Sequence, residues 1–422
     1  MSSSPPCHSP GTSSPRFCSD PSTPATELGD ILGPHVHEDG SDEYVLVTGG
    51  LGFIGSHTSL ELLKAGYNII IVDNLSNSYR DVFGRILLAA RLHYAQAGTP
   101  CPKAELCCAD YRDKPAMNLL LSQHTIATPT LKSNITGVIH FAAYKDVGES
   151  IKNPLKYYKN NVQGLINFLT LLDEHDIKTF IFSSSASVYG TLSESTTSGL
   201  REEDCVHEAQ TYTDPHTGVQ IHSEQGCTGI TNPYGRTKFF AEAILADLCK
   251  SDPSWTVVAL RYFNPIGCDP SGLLGEDPRD SASNLFPAAV RVLTGNRPEL
   301  YIYGTDWDTA DGSAIRDFIH VSDLARGHSA ALSAARDGRI DRTFRAFNLG
   351  TGTGHTVLEV VKTLEGVSER GIPVQAVRRR DGDVGVCVAV PDRAGSELGW
   401  RTEKSLRDAC VDLWNYLSAG GY

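Results

Sequence analysis

The segment Tyr44–Gly55, "YVLVTGGLGFIG", decides the fold. A short apolar, β-branched run that ends in glycines reads as a strand. Its glycines, Gly50-x-Gly52-x-x-Gly55, satisfy the dinucleotide fingerprint, and Gly49 allows an overlapping Gly49-x-x-Gly52-x-x-Gly55 register. Such glycines permit a tight turn, a close backbone approach to a pyrophosphate, and close helix–strand packing. The helix that follows turns its amino terminus toward the negative charge. By itself the pattern is weak, because a turn that merely needs glycine looks the same. Its flanks strengthen it. "SHTSLELLKAG" carries Leu60, Leu63 and Ala65 at helical spacing and closes at Gly66, and "YNIIIVDN" is a second near-continuous apolar strand. Asp73 ends that strand 18 residues beyond Gly55, near the ~20 expected of the acid that holds an adenosine ribose. A carboxylate there repels the extra phosphate of NADP, so NAD is the expected cofactor.

Outward from this unit the alternation continues. "AELCCAD", "ITGVIHFAA", "TFIFSSSAS" and "WTVVALRYFN" read as strands, with helical stretches at about 154–175 and 233–251. Repeated strand–helix units specify an α/β fold, here a Rossmann doubly wound parallel sheet. After Asn264 the pattern is less regular, with short strands such as "LYIYG" and helices near 356–368 and 403–418. The expected organisation is a disordered Ser/Pro-rich tail over 1–42, a nucleotide-binding domain over 43–264, and a smaller mixed substrate domain over 265–422. Some segments of that last part return to the first domain.

With 422 residues, 40% hydrophobic and 21% charged, the chain can bury a sizeable core. Its formal net charge of −13 argues against nucleic-acid and anionic-membrane partners. No apolar run approaches the ~18 residues of a membrane span. The amino terminus has no apolar signal core. Eleven cysteines lack any Cys-x-x-Cys pair, and Cys107 and Cys108 adjoin in what reads as a buried strand. This suits reduced thiols in the cytoplasm. Residues 191–231 show no sustained period and read as a surface insertion. Their Cys205, His207, His216, His222 and Cys227 match no defensible zinc spacing, so no metal is expected.

"NPYGRTK" places Tyr234 and Lys238 one helical turn apart on one face. About one Tyr-x-x-x-Lys match is expected by chance in such a chain, so the motif gains meaning only from its surroundings. The strand "TFIFSSSAS" delivers Ser183, Ser184 and Ser185 to the ligand crevice, a polar strand end being the plainer account of the first two. A phenol is a poor base at neutral pH, with a reference pKa of ~10. A nearby ammonium and a cationic nicotinamide both favour the phenolate, which could then take a hydroxyl proton as hydride leaves the same carbon.

"TGGLGFIG", "DNLSNS", "HFAAYKDVGES", "FSSSASVYG", "PYGRTK", "RYFNPIG", "AIRDFIHVSDLA" and "NLGTGTG", taken in order, resemble the UDP-glucose 4-epimerases, extended short-chain dehydrogenases. The resemblance spans residues 43 to 420. It implies a tightly held NAD that is reduced and reoxidised within one turnover, a UDP-hexose substrate, and a homodimer. Tyr234 then corresponds to the catalytic base, Lys238 to its tuner and ribose ligand, and Ser185 to a hydroxyl that assists proton movement. Around the cofactor the resemblance assigns Gly49, Gly52, Phe53, Ile54 and Gly55, then Asp73, Asn74, Asn77 and Ser78. Asp110, Tyr111, Phe141, Ala142, Ala143, Lys145, Asn160 and Phe263 follow. On the sugar-nucleotide side it assigns Ser185, Tyr234, Asn264, Asn284, Leu285, Tyr301, Ile302 and Tyr303. Arg316, Arg380 and Asp383 complete that side, a diphosphate being well held by charge-assisted forked hydrogen bonds. Arg378 and Arg379 read as solvated surface residues.

The implied reaction interconverts UDP-glucose and UDP-galactose through a 4-keto sugar that turns over between the two hydride transfers. Cys387 stands where some members carry a bulky tyrosine, so UDP-N-acetylhexosamines are also expected as substrates; the plainer account is a packed core thiol. A sugar-nucleotide 4,6-dehydratase would need an acid pair where this chain has Ser185-Ala186-Ser187. A UDP-glucuronate 4-epimerase is a closer alternative. A non-catalytic NAD-binding regulator would usually have lost the Tyr–Lys pair.

Overall fold

The strand β1 (Tyr44–Thr48), the helix α1 (Phe53–Lys64) and the strand β2 (Asn68–Val72) form the expected opening unit. The structure is a computed structural model that describes residues 42–126, 132–192, 199–213, 217–227, 229–277, 284–340 and 342–420. Five more strands join the sheet: β3 (Ala104–Cys107), β4 (Ile135–His140), β5 (Thr179–Ser185), β6 (Thr256–Tyr262) and β7 (Phe344–Leu349). All pair in parallel, in the order β7-β6-β5-β4-β1-β2-β3. The order reverses between β1 and β4, and ligands of such sheets bind beyond the carboxyl ends of the strands at that reversal.

The strands are apolar throughout because both faces are covered. Val45, Val47, Ile69, Ile71, Ile181 and Leu260 point to α1 and to the helices Asp81–Ala97 and Val321–Arg336. Their neighbours Leu46, Ile70, Val138, Phe180, Phe182 and Val257 point to the opposite layer. There they meet the helices Lys114–Gln123 and Gly164–Glu174 and the helix α2 (Pro233–Ser251). Each fully buried aliphatic side chain contributes about 1.5–3 kcal/mol. Beyond residue 264, β7, the helix Val321–Arg336 before it and the turn Ala394–Leu398 with Trp400 belong to this sheet and its cover. The remaining carboxyl-terminal part builds a second core from Phe286, Val290, Phe318, Val361 and Leu413. Its strands Asn264–Ile266, Ile315–His320, Gly354–Thr356 and Val386–Cys387 form one small sheet, and Leu300–Tyr303 pairs with Val374–Val377.

Three local details differ from the sequence reading. α1 ends at Lys64 with Ala65 as its cap, and Gly66 takes a positive φ (+91°) just past the cap. Cys107 closes β3, but Cys108 lies beyond it and is only half-buried. The segment 191–231 is not wholly a surface insertion. Leu200 forms a parallel bridge with Ala389, its amide donating to the Val388 carbonyl and its carbonyl accepting from the Val390 amide, both at 2.8 Å, and Leu200 and Cys205 are buried. Among the described residues of the segment, the hairpin Gln210–Thr213 with Gln220–Ser223 is mostly solvent-exposed. Residues 1–41 and His216 lie outside the described residues.

The inner half of this segment is buried because a charge pair in the core binds it. Glu242 on α2 and Arg261 on β6 are fully buried and meet at 2.6 Å. Arg261 also donates to the carbonyl oxygens of Glu202 (3.1 Å) and Cys205 (2.8 Å) and to the Tyr189 hydroxyl (3.0 Å). Glu242 accepts from Ser184 of β5 and pairs with His207 at 2.9 Å. Its carboxyl is held far below the usual range, burial being outweighed by Arg261 and His207. Removing one partner of a buried pair costs about 3–5 kcal/mol. Arg261→Met is therefore expected to lower unfolding stability in urea by that amount, whereas loss of an exposed pair such as Arg85–Asp81 should change it by less than about 1 kcal/mol.

Candidate active site

Beyond the carboxyl ends of β1, β4 and β5 lies a cavity of about 780 Å³. The glycine turn forms one wall. Of the two registers open in the sequence, Gly49, Gly52 and Gly55 line the cavity, whereas a Cβ on Gly50 would meet Ile71 behind the turn. Gly49 has φ +70°, and a Cβ there would lie 2.9 Å from the Ala142 amide nitrogen. A Cβ on Gly55 would lie 2.2 Å from the Gly49 oxygen. Gly49 and Gly55 are thus closed to any side chain, leaving backbone N–H groups and the start of α1 facing an anion. Asp73 is braced by the Leu51 amide (3.0 Å), the Leu75 amide (2.9 Å) and the Ser78 hydroxyl (2.8 Å). Asn74, Asn77, Ser78, Tyr111, Phe141, Ala142, Ala143, Lys145 and Asn160 also line the cavity.

Tyr234 enters from α2. The helix starts there because Asn232 caps it, accepting from the Gly235 amide at 2.8 Å, and Pro233 takes the first turn, where no N–H is required. Lys238 follows one turn later and is buried, with its Nζ donating to the Ser183 carbonyl and lying 5.9 Å from the centre of the Tyr234 ring. The residues alone do not lower the phenol. Burial pushes Tyr234 up to about 12, opposed by a hydrogen bond with the Ser185 side chain. Burial brings Lys238 down to about 7, opposed by Glu242. Ser185 Oγ also meets Ser187 Oγ at 2.7 Å.

The three serines part company because side chains alternate along a strand. Ser183 lines the cavity, and Ser185 reaches the phenol. Ser184 points into the opposite layer, to Glu242, so it is not beside the nicotinamide half. Asp110 does not line the cavity either; it holds Asn74 at 2.9 Å and forks onto Arg112. Phe263 is packed in the core with Val188, Tyr189 and Cys205.

Among the residues read as sugar-nucleotide contacts, Asn284 lines the cavity and donates to Glu276 at 2.8 Å. Leu285 and Ile302 belong to the second core. Asn264 opens the short strand after β6, paired to Phe318. Arg316 is half-buried, its guanidinium bound to the carbonyls of Ile315 (2.8 Å) and Val384 (2.6 Å), and desolvation lowers its pKa. Cys387 pairs with it across the strands, half-buried, its thiol pushed up to about 11 by burial. Arg380 bonds Asp383 at 3.1 Å and lies over the Tyr303 ring at 4.5 Å, and Tyr301 carries Arg297 over its ring at 4.1 Å. Arg379 is more than a solvated residue: it stacks on Trp307 at 3.6 Å and bonds Asp306. Arg378 is exposed.

Sequence reasoning missed Tyr262, which ends β6 in the cavity wall and whose place at a strand terminus was a usable signal. It also missed Glu276, which bonds Lys145 at 3.0 Å across the cavity and sits on a loop with no periodicity to mark it. Of the zinc candidates, Cys205 and Cys227 meet each other, but the described histidines are engaged elsewhere. His207 pairs with Glu242, His222 bonds Thr211 in the exposed hairpin, and among the described residues no group of three or more His, Cys, Asp or Glu side chains is placed to hold a metal ion.

A model of the NAD dependent epimerase/dehydratase family matches residues 45–350. The chain belongs to this family. It is 43% identical over 383 residues to the UDP-glucose 4-epimerase of Dictyostelium discoideum, covering 90% of this chain and 98% of that one. It is 41% identical to that of Homo sapiens, covering 89% and 96%. The crystal structure of UDP-glucose 4-epimerase from Bifidobacterium longum, in complex with NAD+ and UDP, superposes with a TM-score of 0.74 at 39% identity, covering 90% of this chain and 99% of that one. The glycine turn fits the family's cofactor, since Gly49 and Gly55 admit no side chain and backbone is what faces a pyrophosphate there. Gly55→Ala is accordingly expected to reduce the NAD extracted from purified protein at least tenfold, as measured by chromatography after denaturation, because the new Cβ meets backbone that cannot yield.

Proposed function

We propose that this chain interconverts UDP-glucose and UDP-galactose through a 4-keto sugar, with Tyr234 as its acid–base group. The single observation that carries the reading is the placement of the Tyr234 phenol: in the wall of the dinucleotide cavity, against the Ser185 hydroxyl and one turn from Lys238. Bound NAD supplies the acceptor and later the donor of the hydride at the sugar's fourth carbon. Tyr234 takes the proton of the 4-hydroxyl, with Ser185 as its hydrogen-bonding partner. Lys238 changes charge near neutral pH, and in its protonated form it favours the phenolate that burial otherwise opposes. Asp73 and the glycine turn take the adenosine half of the cofactor. Arg316, Arg380 and Asn284 take the nucleotide of the substrate, so the hexose is gripped from one end and free to turn. The small mixed lobe, built from 265–422 apart from the segments that return to the large sheet, is its principal binding domain.

Purified protein given UDP-galactose, with no NAD added, is expected to form UDP-glucose, and Tyr234→Phe to lower kcat by about 10²–10⁴-fold while bound NAD is retained. Retention of NAD with no isomer formed by the unaltered protein would sink the reading.

The substrate range extends to UDP-N-acetylhexosamines. Cys387 stands beside Arg316 and against the cluster of Ala186, Val188 and Tyr189, and as a small side chain it takes up less space there than the tyrosine that some members of the family carry. Cys387→Tyr is expected to reduce kcat/KM for UDP-N-acetylgalactosamine at least tenfold more than for UDP-galactose; equal effects on both would exclude the idea.

The chain acts as a homodimer in a reducing cytoplasm. Leu155, Ile166 and Phe240 are 78%, 44% and 40% exposed on the helices over 154–174 and on α2, an apolar surface suited to a second copy. The nine cysteines of the described residues are not in disulfides. Light scattering should give twice the chain mass of 45.6 kDa, and Phe240→Glu should shift it toward the monomer.

A further inference from the structure

Two of the cysteines in the segment 191–231 do more than fill space. Val206 and Gly226 form an antiparallel bridge in which the Gly226 amide donates to the Val206 carbonyl at 2.8 Å. Cys205 and Cys227 are therefore the directly opposed neighbours of a hydrogen-bonded pair. That position brings Cα atoms to about 4.5 Å with side chains facing one another, inside the Cα range of about 4.4–6.8 Å that a disulfide needs. The two side chains are in hydrogen-bond contact. Cys205 is buried, while Cys227 is half-buried and open to a small oxidant.

Both cysteines are tied to the catalytic strand. The Cys227 thiol donates to the Val188 carbonyl at 2.6 Å. Val188 belongs to the turn Ala186–Tyr189, whose Ser187 holds the Ser185 hydroxyl. The Cys205 carbonyl is a ligand of Arg261. Cys227 also stands seven residues before Tyr234 on the stretch that leads into α2.

We propose that Cys205 and Cys227 are a peroxide-responsive thiol pair whose closure to a disulfide lowers turnover by releasing the turn that holds Ser185. The Cys227 sulfur attacks a peroxide oxygen, giving a sulfenic acid and water. The Cys205 sulfur then displaces water from it, so that two thiols and one hydrogen peroxide become one disulfide and two waters. Cys227 is the attacking thiol because it is the half-buried one of the two, within reach of a small oxidant from which the buried Cys205 is shielded. Closure removes the S–H donor from Val188, so the turn loses one of its ties to the segment before Tyr234, while the Thr191 amide still bonds the Gly229 carbonyl.

The effect on turnover rests on the epimerase reading, but formation of the disulfide does not, so the two are measured separately. Reduced full-length protein is treated with hydrogen peroxide at a few equivalents, then digested without reduction for mass spectrometry, with epimerase kinetics on the same sample. The expected result is a linked Cys205–Cys227 peptide and a kcat at least threefold lower, with KM within twofold, restored by dithiothreitol. Cys227→Ser keeps a hydroxyl donor for Val188, and should keep the basal rate and lose the response. Absence of the linked peptide while other thiols are oxidised would overturn the proposal. So would full activity in the linked protein, or an equal loss in Cys227→Ser.

Discussion

The ion pair of Glu242 and Arg261 holds the catalytic parts of this protein in one frame. Neither charge reaches solvent, so each requires the other and a full set of hydrogen bonds. Satisfying them draws in Ser184 of β5, Tyr189 of the turn after it, His207, and the carbonyls of Glu202 and Cys205. Tyr189 in turn bonds Asn348 of β7 at 2.6 Å. One pair thereby fixes two sheet strands, the helix that carries the phenol, and the inner half of a segment that has no periodicity of its own.

The same helix joins that frame to the chemistry. Tyr234, Lys238 and Glu242 follow one another at intervals of four, so they share one face of α2. The first reaches the cavity, the second lies at its floor, and the third is locked in the core. Glu242 is also the charge that partly offsets the desolvation of Lys238. The anchor of the helix and the electrostatics of its lysine are thus one arrangement. Strand alternation does the matching job on β5, sending Ser183 and Ser185 to the cavity and Ser184 to the anchor.

Much of this was legible in the sequence. The glycine turn, the acid at the end of β2, the parallel strands and the bounds of α2 are written in local chemistry. Gly, Pro and Asn occupy the turns and caps that need them, and apolar runs mark strands covered on both faces. The assignments that shifted are of another kind. Asp110, Phe263 and Ser184 stand next to cavity residues in the chain, but the pleat or a turn directs their side chains elsewhere. Arg379 looked like its solvated neighbour until Trp307, far away in sequence, was seen beneath it. The segment 191–231 looked like a surface insertion because its anchor, Arg261, lies on a distant strand.

The sequence by itself determined the sheet, the cofactor turn and the Tyr–Lys spacing, since each depends on residues within a few positions of one another. Tertiary structure alone decided which glycine register faces the cavity and which serine meets the phenol. It also decided that burial raises the phenol to about 12 and brings the lysine to about 7. Those outcomes depend on which groups surround a side chain in space and how completely they exclude water, and no local pattern of residues encodes that.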